Sequence, residues 1–371
     1  MKVGITGRNG FVGNHLYNTL GLYPDEFERV CFERSFFEDE DKLDAFVAQC
    51  DVIVHLAALN RHDSQDYLYE TNVKLATELV ASLRRTGSGA QVIISSSTQE
   101  ERDNHYGRSK KAGREAIAEW ARESGGKALG LVIPNVFGAF GKPFYNSFIA
   151  TFCYQLTHGE QPSIAVDGLV GLIYVQELVD RIIREIRDNT HQENLMIEPT
   201  ASYKVSDVLG LLVGYRDLYF NKGEIPDLKS TFEINLFNTF RSFIDHNDFF
   251  PVKFTQHTDP RGSFVEVIRL GIGGQVSFST TVPGVTRGNH FHTRKIERFA
   301  VIKGKALIQL RKIGTDQVFD FYLDGNEPAY VDMPIWYTHN IRNIGEETLY
   351  TNFWINEPYN PEDADTYFVE V

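Results

Sequence analysis

Cysteine is scarce in this chain, with three residues among 371. Cys31, Cys50 and Cys153 are too few and too widely spaced for a disulfide framework, so we expect reduced thiols and a cytoplasmic protein. The sequence also has no apolar run close to the roughly 20 residues that a membrane-spanning helix requires. It opens with MKVGITG, which is typical of a strand entering a loop and not of a signal peptide.

An excess of positive charge is missing as well. The chain has 37 Lys and Arg against 50 Asp and Glu, a formal net charge of −13, which argues against a nucleic-acid partner and against an anionic membrane surface. The rest of the composition is that of an ordinary soluble protein, with 42% hydrophobic and 23% charged residues. Because 371 residues exceed one typical hydrophobic core, the length predicts two domains.

Two kinds of secondary-structure pattern divide the chain. Up to about residue 135, short β-branched runs alternate with helical segments, which predicts a doubly wound parallel sheet. Residues from about 140 to 245 are mixed and more helical, as expected for a small substrate-covering subdomain. Beyond about residue 253, short strands follow at regular spacing, which predicts an all-β barrel or sandwich. The predicted domains are therefore residues 1–246 and 247–371.

A glycine-rich turn follows the first predicted strand and opens a helix. A tight turn and a close approach of backbone to ligand both need glycine, and the N-terminus of the helix would then face a pyrophosphate. An ordinary turn between strand and helix is the alternative. The pattern predicts that a dinucleotide is bound by Gly7, Arg8, Asn9, Gly10, Phe11, Val12 and Gly13.

A phenol and an ammonium group lie four residues apart, on Tyr106 and Lys110, and share one face of a predicted helix. A nearby positive charge lowers the pKa of a phenol, so we expect Tyr106 to exchange a proton with a carbinol near neutral pH. The fourth predicted strand ends in Ser95, Ser96 and Ser97, at the carboxyl edge of the sheet where ligands bind in such folds. A hydroxyl at this edge can donate a hydrogen bond to a substrate carbonyl.

Several motifs together resemble those of extended short-chain dehydrogenases/reductases that act on nucleotide sugars, which have a Rossmann-type sheet. The motifs are the glycine turn, His55-Leu56-Ala57-Ala58, Asn72, the serines 95–97, Tyr106 with Lys110, and Pro134-Asn135-Val136-Phe137-Gly138. The resemblance implies that Tyr106 is the catalytic acid/base, that Lys110 tunes it and holds the nicotinamide ribose, and that Ser97 polarises the sugar carbonyl. It further implies substrate contacts by Ser96 and Asn135, and cofactor contacts by Leu56, Ala57, Ala58, Asn72 and Ser95.

The end of the second predicted strand bears on the choice of cofactor. Glu33 lies about 20 residues beyond Gly13 and would favour NAD by binding the ribose diol. Arg34 beside it and Arg8 in the glycine turn would suit the 2′-phosphate of NADP, although either could be a solvated surface charge. Two cations against one carboxylate lead us to predict NADPH.

Four residues near the end of the chain have the types and spacing of a metal site. His290 and His292 alternate on one predicted strand and so point to the same face, and Glu297 and His339 follow on later strands. Three nitrogens and one oxygen suit Zn²⁺ best, with iron, manganese or nickel as other candidates. The set resembles the cupin metal signature, although Trp336 replaces the usual glycine, so the turn there must avoid a positive φ or carry strain. A metal-free polar barrel lining is the alternative.

A second resemblance in this domain concerns the substrate. Residues 259–266, DPRGSFVE, are similar to a segment of deoxy-sugar 3,5-epimerases, which are themselves cupins. The resemblance implies that Arg261 lines a nucleotide-sugar pocket, and a salt bridge at the barrel edge is its alternative role. Epimerisation beside a ketone removes and returns a proton through an enolate, which a metal or another cation can stabilise.

The full-length pattern resembles two-domain enzymes of capsular polysaccharide synthesis. It implies that the cupin epimerises C3 of a UDP-2-acetamido-2,6-dideoxy-4-hexulose, and that the reductase then reduces C4 with NADPH to UDP-N-acetyl-6-deoxy-L-talosamine, on the route to UDP-N-acetyl-L-fucosamine for capsule or O-antigen. Reduction must come second because the ketone activates C3. One alternative is a C4 reductase alone, of a quinovosamine or rhamnosamine route, with a non-catalytic cupin. A non-enzymatic cofactor sensor is another, against which the Tyr106/Lys110 pair argues. The resemblance also implies a homodimer.

Overall fold

The computed structural model describes residues 1–259, 262–265, 267, 274–357 and 360–371. Contacts between these residues divide the chain into two compact units, the first made of Met1–Thr151 and Val166–Val205 and the second of Phe152–Ala165 and Ser206–Val371. Residues 206–246 therefore group with the strands that follow them. The domain boundary predicted between residues 246 and 247 rests on the change in sequence pattern and stays a prediction.

Parallel strands form the centre of the first unit. Its strands are β1 (Lys2–Thr6), β2 (Glu28–Val30), β3 (Val52–His55), β4 (Gln91–Ser97), β5 (Lys127–Ile133), β6 (Asn135–Phe137), β7 (Leu169–Tyr174), β8 (Gln192–Met196) and β9 (Ala201–Lys204). Six of them form a parallel sheet in the order β2-β1-β3-β4-β5-β8. The other three, β6, β7 and β9, form a smaller mixed sheet.

Helices cover both faces of the parallel sheet. They are α1 (Phe11–Leu20), α2 (Glu40–Gln49), α3 (Gln65–Thr86), α4 (His105–Ser124), α5 (Phe148–Thr157), which runs into the second unit, and α6 (Val175–Arg187). Val52 and Val54 belong to one buried apolar cluster and Ile53 to another, because side chains alternate along a strand. Helices α1 and α6 cover the first cluster, and α2, α3 and α4 cover the second. This arrangement confirms the predicted doubly wound sheet.

The second unit begins with helices and continues as antiparallel strands. Its helices are α7 (Val205–Tyr215), α8 (Thr231–Arg241) and α9 (His246–Phe249). Its strands are β10 (Val252–Lys253), β11 (Gln256–Asp259), β12 (Gly262–Val265), β13 (Gln275–Thr281), β14 (Thr286–Phe291), β15 (Glu297–Lys303), β16 (Lys305–Lys312), β17 (Val318–Asp324), β18 (Ala329–Met333), β19 (Tyr337–Asn343), β20 (Leu349–Ile355) and β21 (Tyr367–Phe368).

Most of these strands form two five-stranded antiparallel sheets, in the orders β10-β18-β15-β20-β13 and β17-β16-β19-β14-β21. In β16, Ala306, Ile308 and Leu310 are buried and alternate with half-buried residues, as expected for a strand with one face towards a core. The predicted all-β, cupin-type C-terminal fold is confirmed. None of the helices in the described ranges is long and apolar enough to span a bilayer. The three cysteines are free, with Cys31 exposed and Cys50 and Cys153 buried.

Candidate functional site

The glycine turn lies between β1 and α1, at the carboxyl edge of the parallel sheet. Gly7 has a φ of +80°, and a Cβ there would lie 2.8 Å from the backbone nitrogen of Ala57. A Cβ on Gly13 would lie 2.2 Å from the carbonyl oxygen of Gly7. Gly10 is the N-cap of α1 and brings no side chain to cap it. The turn thus requires glycine for steric reasons, and it leaves the helix N-terminus open to an anion.

A cavity of about 800 Å³ opens at this turn. Most of the predicted cofactor and substrate residues of the first unit line it: Gly7, Arg8, Asn9, Gly10, Phe11, Val12, Gly13, Arg34, Leu56, Ala57, Ala58, Ser95, Ser96, Ser97, Tyr106, Lys110 and Asn135. Asn72 is not among them. Residues separated by more than 100 positions therefore meet around one space of the size that ligand sites commonly have.

The charged residues that line this cavity are all basic. Arg8, Arg34, Lys110 and Lys142 line it, and within the described part of the chain no Asp or Glu does. The charge of the lining is thus opposite in sign to the net charge of the whole protein, which is −13. Because charges of one sign in a cleft attract ligands of the other sign, the cavity favours anionic ligands such as nucleotides.

Helix α4 brings the proposed acid/base group to the end of β4. It begins after Asn104, whose side-chain oxygen accepts a hydrogen bond from the Gly107 N–H at 2.7 Å. Tyr106 lies in its first turn, and Lys110 donates a hydrogen bond to the Ser95 hydroxyl at 3.2 Å. Ser97 lies on the same face of β4 as Ser95 because side chains alternate along a strand. The predicted catalytic residues are thus brought together.

Burial changes the ionisation of both groups on α4. Burial, with a smaller contribution from Tyr145, raises the pKa of Tyr106 to about 12. Burial also lowers the pKa of Lys110 to about 8. The pKa of the phenol is therefore raised by burial, contrary to the decrease expected from a neighbouring cation. Tyr106 is protonated at neutral pH, which is the state in which it can donate a proton to a ketone.

Ser96 faces away from Ser95 and Ser97. Its hydroxyl donates a hydrogen bond to Glu100 at 2.6 Å, and Glu100 accepts two more from the Arg114 guanidinium at 3.0 and 3.1 Å. Both charged side chains are largely buried. The structure thus gives Ser96 a carboxylate partner behind the strand, and its predicted contact with substrate stays a prediction.

Asn72 supports the turn after β3. Its side-chain oxygen accepts a hydrogen bond from the Leu59 N–H at 2.7 Å, and its amide group donates to the Leu59 carbonyl at 2.9 Å and to the Ser109 hydroxyl at 3.0 Å. Leu59 itself lines the cavity. Asn72 therefore shapes the cavity wall from behind, and its predicted contact with the cofactor stays a prediction.

The segment 138–146 supplies lining residues that were not predicted. Phe140, Lys142, Tyr145 and Asn146 line the cavity. The Tyr145 hydroxyl accepts a hydrogen bond from the Asn60 N–H at 3.1 Å, and the Lys142 ammonium lies 5.0 Å from the centre of the Tyr145 ring. The only signal in the sequence is that a lysine stands among aromatic residues directly after the Pro-Asn motif. The segment 138–146 itself has neither a helical nor a strand periodicity.

A second candidate site lies in the second unit, where His290, His292, Glu297 and His339 converge. One ligand atom from each lies within 4.8 Å of the other three. His290 on β14 pairs directly with His339 on β19, and Glu297 begins β15. The Nε2 atoms of His292 and His339 lie 3.2 and 3.0 Å from Oε2 of Glu297. Arg261, the substrate residue predicted for this domain, lies outside the described residues.

The chemistry of these four residues suits a divalent metal. Nε2 of His292 and of His339 and Oε2 of Glu297 are buried and lie close to one another, but none of them has a hydrogen bond of ordinary geometry to the described residues. Burial, together with His339 and His292, lowers the pKa of His290 to about 4, so its ring is neutral and keeps a lone pair. Buried polar atoms without partners cost free energy unless a ligand satisfies them. Three histidine nitrogens and one carboxylate are ligands that Zn²⁺ accepts.

Trp336 occupies the turn where related signatures have glycine. Its φ is +61°, in the left-handed region that bulky residues rarely adopt. The ring stacks on Phe291 at 5.3 Å, and the backbone N–H donates to the His292 carbonyl at 2.8 Å. Of the two possibilities expected at this turn, the structure shows the strained one, and the stacking and the hydrogen bond offset the strain.

Known proteins match both units. Residues 3–197 match the NAD dependent epimerase/dehydratase family, and residues 257–367 match the polysaccharide biosynthesis C-terminal domain. A protein of Pseudomonas aeruginosa named UDP-2-acetamido-2,6-beta-L-arabino-hexul-4-ose reductase is 32% identical, and the match covers 100% of this chain and 99% of that protein. The spore coat polysaccharide biosynthesis protein SpsL of Bacillus subtilis is 28% identical over 30% of this chain and 82% of its own length.

Solved structures agree with these matches. The crystal structure of the capsular polysaccharide assembling protein CapF from Staphylococcus aureus is 32% identical and covers 100% of both chains, with a TM-score of 0.63. RMD from Pseudomonas aeruginosa, solved with NADPH, is 18% identical over 58% of this chain and 82% of its own, with a TM-score of 0.53, and shows the fold alone. The predicted resemblance to capsule-synthesis enzymes is thereby confirmed. The chain belongs to the NAD dependent epimerase/dehydratase family and, along its whole length, to the two-unit CapF type within it.

Proposed function

We propose that the protein is an NADPH-dependent reductase of a UDP-linked 2-acetamido-2,6-dideoxy-4-hexulose that also epimerises C3 of that sugar. The observation that carries the proposal is the meeting of Tyr106, Lys110 and Ser97 with the glycine turn in one cavity whose charged lining is wholly basic. The names of the full-length relatives, a UDP-sugar hexulose reductase and a capsular polysaccharide assembling protein, support the substrate class. The proposed product is UDP-N-acetyl-6-deoxy-L-talosamine, on the route to UDP-N-acetyl-L-fucosamine.

In the proposed reduction, three side chains act on the carbonyl at C4. NADPH, when bound, supplies the hydride that C4 receives. Tyr106 gives its phenolic proton to the carbonyl oxygen, so the ketone becomes a secondary alcohol. Ser97 accepts a hydrogen bond from the Gln99 N–H at 3.2 Å, which leaves its own proton to polarise that carbonyl. The Lys110 ammonium stabilises the phenolate that remains.

The lining of the cavity supports NADPH over NADH. Arg8 and Arg34 line it and Glu33 does not. Replacing Arg34 with alanine is expected to raise the KM for NADPH by about tenfold or more, because a charge-assisted hydrogen bond contributes about 1.5–3 kcal/mol. The KM for NADH, which has no 2′-phosphate, should stay nearly constant. Steady-state kinetics with both cofactors measure this, and Glu33→Gln is the matched control. Equal changes for the two cofactors would contradict the assignment.

We place the proposed epimerase centre at His290, His292, Glu297 and His339, with Zn²⁺ or another divalent metal bound there. The metal would supply positive charge next to the enolate oxygen that forms when C3 loses its proton. The support is the fit of the donor set, whose ligand atoms lie within 4.8 Å of one another. A C4 reductase alone, with a structural cupin, is the second candidate function, and it is favoured by the reductase-only name of the Pseudomonas aeruginosa relative.

Deuterium exchange separates the two candidates. The 4-keto sugar is incubated in D₂O with metal-replete protein and without NADPH, and deuterium at C3 is measured by NMR. Incorporation is expected, because epimerisation exchanges this proton with solvent. Tyr106→Phe should retain the exchange while NADPH oxidation is lost. A metal-replete protein that leaves C3 unlabelled would limit the function to reduction, and loss of both reactions in Tyr106→Phe would contradict two separate sites.

Two further predictions concern the setting of the enzyme. The homodimer implied by the family resemblance stays a prediction, which light scattering of the purified protein measures directly. The cytoplasmic location, expected from the scarce and unpaired cysteines, also stays a prediction. The assignment of residues to the two proposed sites does not depend on the oligomeric state or on the location.

A further inference from the structure

Residues 364–371, which we call the C-terminal strap, lie against the segment that carries two of the proposed metal ligands. Strand β21 of the strap pairs with β14, with His290 opposite Phe368 and Phe291 opposite Tyr367. The Tyr367 ring stacks on Phe291 at 5.3 Å. The strap therefore extends the sheet next to the metal site, on the strand that holds His290.

One carboxylate of the strap organises the loop between His292 and Glu297. Asp365 is buried, and its carboxylate accepts hydrogen bonds from three consecutive backbone N–H groups, those of residues 293, 294 and 295, at 3.1, 3.0 and 3.0 Å. The Thr293 hydroxyl donates a further one at 2.6 Å. Asp365 has a φ of +43°, and aspartate adopts the left-handed region more readily than most residues. This single side chain thus binds three of the four backbone N–H groups in the connection between two proposed ligands.

The backbone carbonyl of Asp365 acts on His292 directly. It accepts a hydrogen bond from Nδ1 of the imidazole. Because a carbonyl can only accept, Nδ1 must carry the proton, and the lone pair is left on Nε2. Nε2 is the atom that lies 3.2 Å from the Glu297 carboxylate, inside the cluster. The hydrogen bond thus sets both the tautomer and the orientation that metal binding requires.

We propose that Asp365 is a positioning residue for the metal centre, acting on His292 through its carbonyl and on the loop 293–295 through its carboxylate. The proposal rests on the proposed metal-binding function of the second unit. Asp365 does not itself belong to the ligand cluster. Metal affinity should therefore depend on a residue that is no ligand and lies about 70 positions further along the chain.

Zinc affinity of the full-length protein tests this role. The metal is removed with a chelator and the Kd for Zn²⁺ is measured by competition with a chromophoric chelator. Asp365→Ala should weaken binding by about tenfold or more, the usual effect of removing a group that orients a ligand. Asp365→Asn keeps the tolerance for a positive φ and one accepting oxygen, so its Kd should lie between those of the wild type and Asp365→Ala. The matched control is Asp363→Ala, because Asp363 binds only the surface guanidinium of Arg294 among the described side chains.

Two measurements show whether Asp365 has a merely structural role. The thermal midpoint of the metal-free variants reports on folding alone, and the absorption spectrum of the Co²⁺-substituted protein reports on ligand geometry. A lower midpoint for Asp365→Ala with a Kd and a Co²⁺ spectrum like those of Asp363→Ala would overturn the proposal. Should Asp365→Ala not fold, a wild-type Kd for Asp365→Asn would overturn it equally. A wild-type protein that binds neither Zn²⁺ nor Co²⁺ would instead contradict the proposed metal site.

Discussion

Replacing Tyr106 with phenylalanine is expected to lower kcat for ketone reduction by about 10²- to 10⁴-fold, the usual contribution of a positioned general acid. The change removes one hydroxyl from the first turn of α4 and leaves the ring. The cavity, the glycine turn and the lysine one turn further along stay in place. The KM for NADPH should therefore change little, and NADPH oxidation at saturating substrate measures the effect.

The exposed Tyr67 provides a matched control, because Tyr67→Phe also removes a phenolic hydroxyl but lies outside the cavity lining. Its kcat should equal that of the wild type. A Tyr106→Phe enzyme that retains more than about a tenth of the wild-type kcat would assign the proton donor to another group.

The pH dependence of reduction should reflect Lys110. Burial lowers the pKa of this ammonium to about 8, so it loses its charge as the pH rises through that value. A neutral amine stabilises the phenolate of Tyr106 less well, and kcat should consequently fall above about pH 8. Lys110→Met should have a low kcat without this step between neutral and alkaline pH. A wild-type profile that stays flat through the same range would remove Lys110 from this role.

Replacing Arg298 with alanine is expected to lower the free energy of unfolding of the second unit by about 3–5 kcal/mol, as breaking a buried ion pair typically does. Arg298 and Asp332 are each 2% exposed, and two guanidinium nitrogens lie 2.8 and 3.1 Å from the carboxylate oxygens. The guanidinium also donates to the Gly223 carbonyl at 2.9 Å and lies 3.8 Å from the centre of the Tyr330 ring. Removing it leaves a buried carboxylate without its strongest partner.

Urea unfolding measures this loss, and the surface pair of Lys253 and Glu327 provides the control. These side chains are 70% and 71% exposed, so Lys253→Ala should cost less than about 1 kcal/mol. The triple variant Arg241→Met/Arg298→Met/Asp332→Leu should be more stable than Arg298→Ala, because it removes the three buried charges of the cluster together. Equal losses of unfolding free energy for Arg298→Ala and Lys253→Ala would show that the buried pair stabilises the protein no more than the surface pair does.

The buried pair of Arg298 and Asp332 also predicts that the free energy of unfolding decreases in acid. Burial alone would raise the pKa of Asp332, but the charge and hydrogen bonds of Arg298, with the charge of Arg241, lower it below the usual value. A carboxyl group whose pKa is lowered by folding stabilises the folded state at neutral pH, and that contribution is lost as the pH falls towards the lowered pKa. The triple variant, which lacks this carboxyl group, should therefore lose less stability than the wild type on acidification.

Local patterns predicted the parts of the fold and sites that depend on neighbours in sequence. The glycine turn is recognisable because sterics at Gly7 and Gly13 exclude any side chain. The proposed metal cluster is recognisable because His290 and His292 are two residues apart, although β14 ends at Phe291 and His292 directly follows it. The lining contributed by Lys142 and Tyr145 has no such period. The raised pKa of Tyr106 depends on how deeply helix packing buries the phenol, and residue spacing carries no information about that depth.

The grouping of residues 206–246 with the barrel also escapes sequence patterning. The Tyr219 hydroxyl donates a hydrogen bond to Asp332, and Arg241 donates one to the Tyr219 hydroxyl at 3.2 Å. These residues lie more than 90 positions before Asp332 on segments with an ordinary helical composition. A charged side chain in such a segment is usually solvent-exposed, so only the three-dimensional structure shows that this cluster is buried and joins helices to strands.

The contact between His292 and Asp365 closes a loop of 73 residues. Closing a loop of this length costs conformational entropy that one hydrogen bond cannot offset, so the contact forms only because the strands in between are already in register. Release of the strap, by fraying or by proteolytic cleavage, would detach β21 from β14 and free the His292 ring. The Zn²⁺ affinity of the proposed metal site would then depend on whether the strap is docked.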